Sequence, residues 1–92
     1  MPSDLVYLYG LYDGEILITV GRSTLKRHEW LQMFNCQNST CSARSYIDEH
    51  PEAVLTVKKL ANQCLRKKSI RILRVLCEEL QPLYLPYYLR KI

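Results

Sequence analysis

From Leu5 to Val20 the hydrophobic positions crowd together instead of keeping a strict alternation. Leu5–Leu11 reads Leu-Val-Tyr-Leu-Tyr-Gly-Leu, and Glu15–Val20 reads Glu-Ile-Leu-Ile-Thr-Val. Both runs are rich in the β-branched and aromatic residues that suit a pleated surface. Asp13-Gly14 lies between them, the strongest short signal for a hairpin. Two antiparallel strands are therefore predicted, and runs this apolar imply burial on both faces.

The pattern then changes period. Gly21 ends the second strand, and Ser23 or Thr24 offers a hydroxyl to cap a helix. Leu25, Trp30, Leu31, Met33 and Phe34 supply that helix's apolar side, and it should stop near Asn35. Gln37–Ser42 is a polar loop, and Ser42–Ile47 alternates weakly, as a third strand would. Asp48-Glu49-His50-Pro51-Glu52 reads as a helix start, because proline tolerates the first turn and acids suit the dipole there. Val54, Val57, Ala61 and Cys64 or Leu65 follow at helical spacing, with Lys58, Lys59, Arg66, Lys67 and Lys68 off that stripe.

Ser69–Gln81 passes as strand or helix, and the helix is preferred: Ile70, Leu73, Cys77 and Leu80 share a face, and Arg74 and Glu78 stand four apart. Pro82 and Pro86 punctuate the tail from Leu83 to Ile92, which is too aromatic to lie free in water and should pack on the body or on a partner. The expectation is a single domain over residues 1–92, α+β in class. A small antiparallel sheet, the hairpin plus a candidate third strand, packs with about three helices.

Composition adds bounds. The chain has 92 residues, 48% of them hydrophobic, enough for one compact core. Thirteen Lys and Arg against nine Asp and Glu give a net charge of +4, which permits an acidic partner such as nucleic acid without demanding one. Cys36, Cys41, Cys64 and Cys77, with His28 and His50, keep no zinc-finger interval. Reduced thiols and an intracellular protein, cytoplasmic or nuclear, are expected. No apolar run approaches a membrane span and none resembles a secretory signal. Neither a nucleophile elbow nor a phosphate-loop glycine pattern is present.

The junction after the hairpin concentrates chemistry. Val20–Gln32 holds Gly21, Arg22, Lys26, Arg27, His28 and the chain's single tryptophan, Trp30. Such a junction can hold phosphate, and it can equally be a capped helix with a solvated face. Taken with the strands before it, it resembles the GIY-YIG nuclease family over roughly residues 5–68. Val6–Tyr9 stands at the first triplet, Thr19–Gly21 at the second, and Arg22–Arg27 leads into the helix. The resemblance implies hydrolysis of a phosphodiester: a sheet tyrosine helping to activate water, a helix arginine steadying the phosphate, and a glutamate holding one divalent metal. Tyr7 or Tyr9 would take the first role and Arg27 the second, with Gly21 keeping its place. Thr19 replaces the second tyrosine, the Ser23–Leu25 spacing is one residue short, and Leu55 or Thr56 stands where the metal glutamate aligns. Glu52, about one turn away, is the sole candidate ligand. The resemblance therefore implies a fold and a catalytically degenerate nucleic-acid binder, with Arg22, Lys26, Arg27, His28, Lys58 and Lys59 as phosphate contacts.

A second resemblance competes. Thr56–Arg66 is similar to the elongin-binding helix of a SOCS box, with Val57, Ala61 and Leu65 on one stripe. Leu83–Ile92, with Leu85-Pro86, resembles its cullin-selecting tail. It implies an adaptor, of a type viruses use, that recruits an elongin-type ubiquitin ligase. A third expectation is a structural or oligomerising protein with the tail as a dimer seam.

Overall fold

The computed structural model describes residues 5–35 and 43–85. Three strands form one antiparallel sheet in the order β2-β1-β3: β1 is Leu5–Asp13, β2 Ile16–Ser23 and β3 Leu55–Leu65. Helices α1 (Arg27–Asn35) and α2 (Arg44–Glu49) lie between β2 and β3, and α3 (Arg66–Leu80) follows β3 directly. The α+β class and the antiparallel sheet are as expected. Among the described residues no helix is long and apolar enough to cross a membrane.

The predicted hairpin forms, with its turn one residue later than the expected Asp13-Gly14. Asp13 faces Ile16 across a Gly14-Glu15 turn, and Gly14 sits at φ +62° while Glu15 does not share the positive region. A glycine at the first central position of a two-residue loop matches the twist of the flanking strands. Strand β2 does not end at Gly21, however; it runs on through Arg22 and Ser23, which face Leu8 and Tyr7.

β1 is central, so both of its faces are covered. Tyr9 and Leu11 point to one face, where they meet Ile18, Trp30, Phe34, Ala43, Tyr46 and Val57 beneath α1 and α2. Val6 and Leu8 point to the other, where they meet Leu17, Val20 and Leu73 beneath α3. These are the aromatic and the aliphatic face.

The third strand is not where the pattern placed it. Residues 44–49 are α2, held in part by an ion pair from Arg44 Nε to Asp48 Oδ1 at 3.1 Å. Asp48–Glu52 starts no helix: Asp48 and Glu49 close α2, and Pro51 and Glu52 form a turn. The segment read as the next helix is β3. Its register slips twice against β1, between Lys59 and Ala61 and again between Ala61 and Cys64. Each slip inserts one residue and so resets which face the next side chain meets. Leu55 and Val57 pack on the aromatic face, then Leu60, Ala61 and Cys64 on the aliphatic one. Two bulges thus turn a period of two into intervals of three and four, which imitate a helix.

α3 begins three residues before the expected Ser69, and Leu73 is fully buried on it. Leu80, expected on its apolar stripe, is 42% exposed. Gln81 ends the helix in the left-handed region, its N–H on the Cys77 carbonyl at 2.8 Å, and Pro82 follows. Arg74 and Glu78 do not close into an ion pair among the described residues. Leu83 and Tyr84 donate their N–H groups to the carbonyls of Leu17 and Ile18 (3.1 and 2.9 Å), so this stretch covers part of the β2 edge. Tyr84 packs on the aromatic face. The tail from Pro86 on, Cys36, and the expected polar loop Gln37–Ser42 with Cys41 lie outside the described residues. Cys64 and Cys77 are free thiols, and burial pushes the Cys77 thiol up.

Candidate nucleic-acid interface

Helix α1 starts later than the hydroxyls promised. Ser23 Oγ accepts the Leu25 N–H at 2.9 Å, a local turn that leads the chain out of β2. Lys26 is the cap residue: its carbonyl takes the Trp30 N–H at 2.9 Å, and its own N–H goes to Glu29 Oε1 at 3.0 Å. That is the reciprocal half of a capping box, with Glu29 three residues in. Arg27 is therefore the first helical residue, and Lys26 and Arg27 project from the helix start, both exposed. Of the residues expected on the helix's apolar side, Met33 is 49% exposed, because Trp30 and Phe34 fill the contact with the sheet.

Trp30 fixes where this start sits. Its ring lies 5.2 Å from that of Tyr9 and 4.7 Å, edge-on, from that of Phe34. A Cβ on Gly21 would come within 2.8 Å of Trp30 Cζ2. Gly21 is thus more than a strand terminator; its bare backbone admits the indole. The Tyr9 hydroxyl donates to the Leu25 carbonyl at 2.8 Å, tying β1 to the turn before α1. Burial, then the neighbouring Tyr7, pushes the Tyr9 phenol up. Tyr9 is occupied as a strut, whereas Tyr7, half-buried and stacked on it at 5.7 Å, faces outward.

These elements enclose an open depression of about 270 Å3 lined by Tyr7, Tyr9, Lys26, Arg27 and Lys59. Its described lining carries three cations and no carboxylate. Lys59 joins from β3, opposite Tyr9.

Other expected contacts go elsewhere. Arg22 faces Leu8 in the register and so belongs to the aliphatic face. There its Nη1 donates to Ser69 Oγ at 2.7 Å and to the Arg66 carbonyl at 3.1 Å, bracing β2 against α3. The Ser69 hydroxyl in turn donates to the Arg66 carbonyl at 2.6 Å. Arg22, Lys26 and Arg27, expected together, are thus not brought together: Lys26 and Arg27 line the depression and Arg22 braces the far side. Lys58 alternates with Lys59, and its Nζ rests 4.6 Å above the Tyr12 ring. His28 is exposed on α1 and does not line the depression. Thr19 is buried, its hydroxyl donating to the Tyr84 carbonyl at 2.8 Å.

Glu52 lies at the opposite end of the sheet, lining a second depression with Asp13, Glu49, His50 and Ala53. Asp13 is six residues along β1 from Tyr7, about 20 Å at 3.3 Å per residue. Among the described residues no group of three or more His, Cys, Asp or Glu side chains is disposed to hold a metal ion. Glu52, the one carboxylate offered for the divalent metal that the nuclease resemblance implies, thus stands away from Tyr7 and Arg27 and does not fit beside them as its ligand. The stripe of the SOCS-box resemblance is likewise not a helical one. Val57, Ala61 and Leu65 lie on β3, Val57 is buried against the aromatic face, and Ala61 packs on the other. Leu85 is exposed, and Pro86 is outside the described residues.

No family model matches the chain, and neither a curated protein nor a solved structure matches it.

Proposed function

We propose that this protein binds nucleic acid by seating backbone phosphate in the Lys26–Arg27–Lys59 depression, on a scaffold of the GIY-YIG type that has lost its metal-dependent chemistry. The observation that carries the reading is the lining itself: two helix-start cations and one strand cation meet over half-buried Tyr7, with no described carboxylate among them. Cations fixed around a concave site attract phosphate and release its counterions, which makes affinity fall with salt. An upward-facing phenol beside them gives a base a surface to stack on. The resemblance assigns Tyr7 or Tyr9 to water activation and Arg27 to phosphate, and all three line this depression. The distance of Glu52 from it favours binding without hydrolysis.

The test is fluorescence anisotropy with a labelled single-stranded oligonucleotide too short to reach beyond the depression, over a range of salt. Three phosphate contacts predict a slope of log K against log[salt] of about −2. The paired variant Arg27→Gln/Lys59→Gln should bring the slope to about −0.7 with an unchanged melting temperature. Wild-type protein that shows no salt-sensitive binding overturns the reading.

A further inference from the structure

Charge is sorted along the strand axis of this molecule. Lys59 stands at the middle of the sheet opposite Tyr9, Lys26 and Arg27 join it from the start of α1, and just beyond the end of β3, where β1 begins, come Arg66, Lys67, Lys68 and Arg71 on α3. At the other end stand Asp13, Glu49 and Glu52, with Glu15 in the hairpin turn and Glu78 and Glu79 in the last turn of α3. Among the described residues Glu29 is an acid at the basic end, and its carboxylate is engaged with the Lys26 N–H.

The arrangement on α3 opposes the helix's own needs. Its first turn has no acid and three cations, and its last turn has no base. A helix macrodipole favours the reverse at both ends. Lys67, Lys68 and Arg71 are all exposed, so no burial or ion pair among the described residues offsets that cost. Leu65, the residue before α3, faces Leu5, four residues along β1 from Tyr9. The start of α3 is thus about 7 Å beyond Tyr7 and about 13 Å beyond Tyr9 in the strand direction, on the opposite face.

We infer that nucleic acid held in the depression continues over the Leu65–Arg66 junction onto the exposed side of the first two turns of α3, where Lys67, Lys68 and Arg71 take further phosphates. The inference rests on the proposed function and extends it. The depression holds one short stretch of backbone, and the α3 cations make the preferred ligand a strand several nucleotides long. The acidic end repels the same polymer, so the strand crosses at one end only.

Two probes separate the parts: a 5′-phosphorylated thymidine dinucleotide and a thymidylate oligomer of about 15 nucleotides, within the span one small domain covers. Each is titrated against wild type, the variant Lys67→Gln/Lys68→Gln/Arg71→Gln, and Arg27→Gln/Lys59→Gln. The α3 variant should lower the salt slope on the long oligomer by about 2, at about 0.7 per cation, and leave dinucleotide affinity unchanged. Its melting temperature should hold or rise, since the cations oppose the dipole. Binding of the long oligomer unaffected by the α3 variant overturns the extension while leaving the depression reading intact. Loss on the α3 variant with no loss on Arg27→Gln/Lys59→Gln overturns the continuous path. A wild type that binds neither probe overturns both.

Discussion

The two faces of β1 solve the same packing problem by different means. On the aliphatic face Val6 and Leu8 meet Leu17, Val20 and Leu73, and one amphipathic helix closes the layer. Arg22, Ser69 and the Arg66 carbonyl form a polar brace at its edge. On the aromatic face Tyr9, Trp30, Phe34 and Tyr46 interlock, two short helices share the cover, and hydroxyls tie the elements together. Tyr46 donates to Asp13 at 2.6 Å and stacks on His50 at 4.0 Å. A single helix on an aliphatic layer leaves little relief. Large rings under two short helices leave a hollow where cover runs out, and the cations of α1 and β3 gather there. The aliphatic face carries stability, and the aromatic face carries stability and shape together.

The largest effect that separates them is a deletion on the aliphatic side. Leu8 is fully buried among Val6, Val20 and Leu73. Leu8→Ala should cost about 2–5 kcal/mol, the transfer term plus the cavity it leaves. Oligonucleotide affinity of the molecules that remain folded should match wild type, because no depression residue touches this layer. Chemical denaturation gives the first quantity and anisotropy below the transition gives the second. An affinity loss in fully folded Leu8→Ala would break the division of labour.

A smaller substitution on the aromatic face should disturb both properties. Gly21→Ala places a methyl 2.8 Å from Trp30 Cζ2, and the indole is confined by Tyr9 and Phe34. Overpacking of this kind costs about 1–3 kcal/mol. Trp30 stands one turn after Arg27, so the displaced ring shifts the helix start and moves Lys26 and Arg27 against Lys59. Affinity should fall in protein that is still folded, and Trp30 fluorescence should report the altered packing. Loss of stability with native affinity and an unshifted spectrum would show that the ring yields without carrying the helix.

The two faces also explain what the sequence could and could not disclose. The hairpin was legible because Asp13-Gly14 is a local signal and both flanking runs belong to one strand pair. α3 was legible because Ile70, Leu73 and Cys77 recur on a single aliphatic contact. β3 was not, because its bulges trade a period of two for helical intervals and because the demand for a strand comes from the open edge of β1, a tertiary fact. The depression was half legible. Lys26 and Arg27 are neighbours in sequence and in space, and Lys59 was picked out with Lys58. Adjacency misled for Arg22 and Lys58, since neighbouring positions on a strand face opposite ways. The fixing of Tyr9 by the Leu25 carbonyl left no local trace, and it is what singles out Tyr7 as the outward phenol.

The finest distinction is in alkaline titration. Tyr9 is pushed above its ordinary value of 10.0, chiefly by burial, and Tyr46 above the same value, chiefly by its hydrogen bond to Asp13; both belong to the aromatic face. On the aliphatic face burial raises the Cys77 thiol above 9.0. In each case the folded chain holds the proton more tightly than the unfolded one. The contribution is therefore complete below the unfolded value and declines as pH climbs from there through the folded value. Cys77 should begin to weaken the fold from about pH 9, and the tyrosines only from about pH 10. Denaturation midpoints measured across this range should fall in two stages. Cys77→Ala should remove the earlier stage and Tyr9→Phe should flatten the later one, while phenolate absorbance in Tyr9→Phe loses a component that ionises above 10.0. A single-stage decline unchanged by either variant would mean that the two layers do not feel pH separately, and the contrast between them would then rest on packing alone.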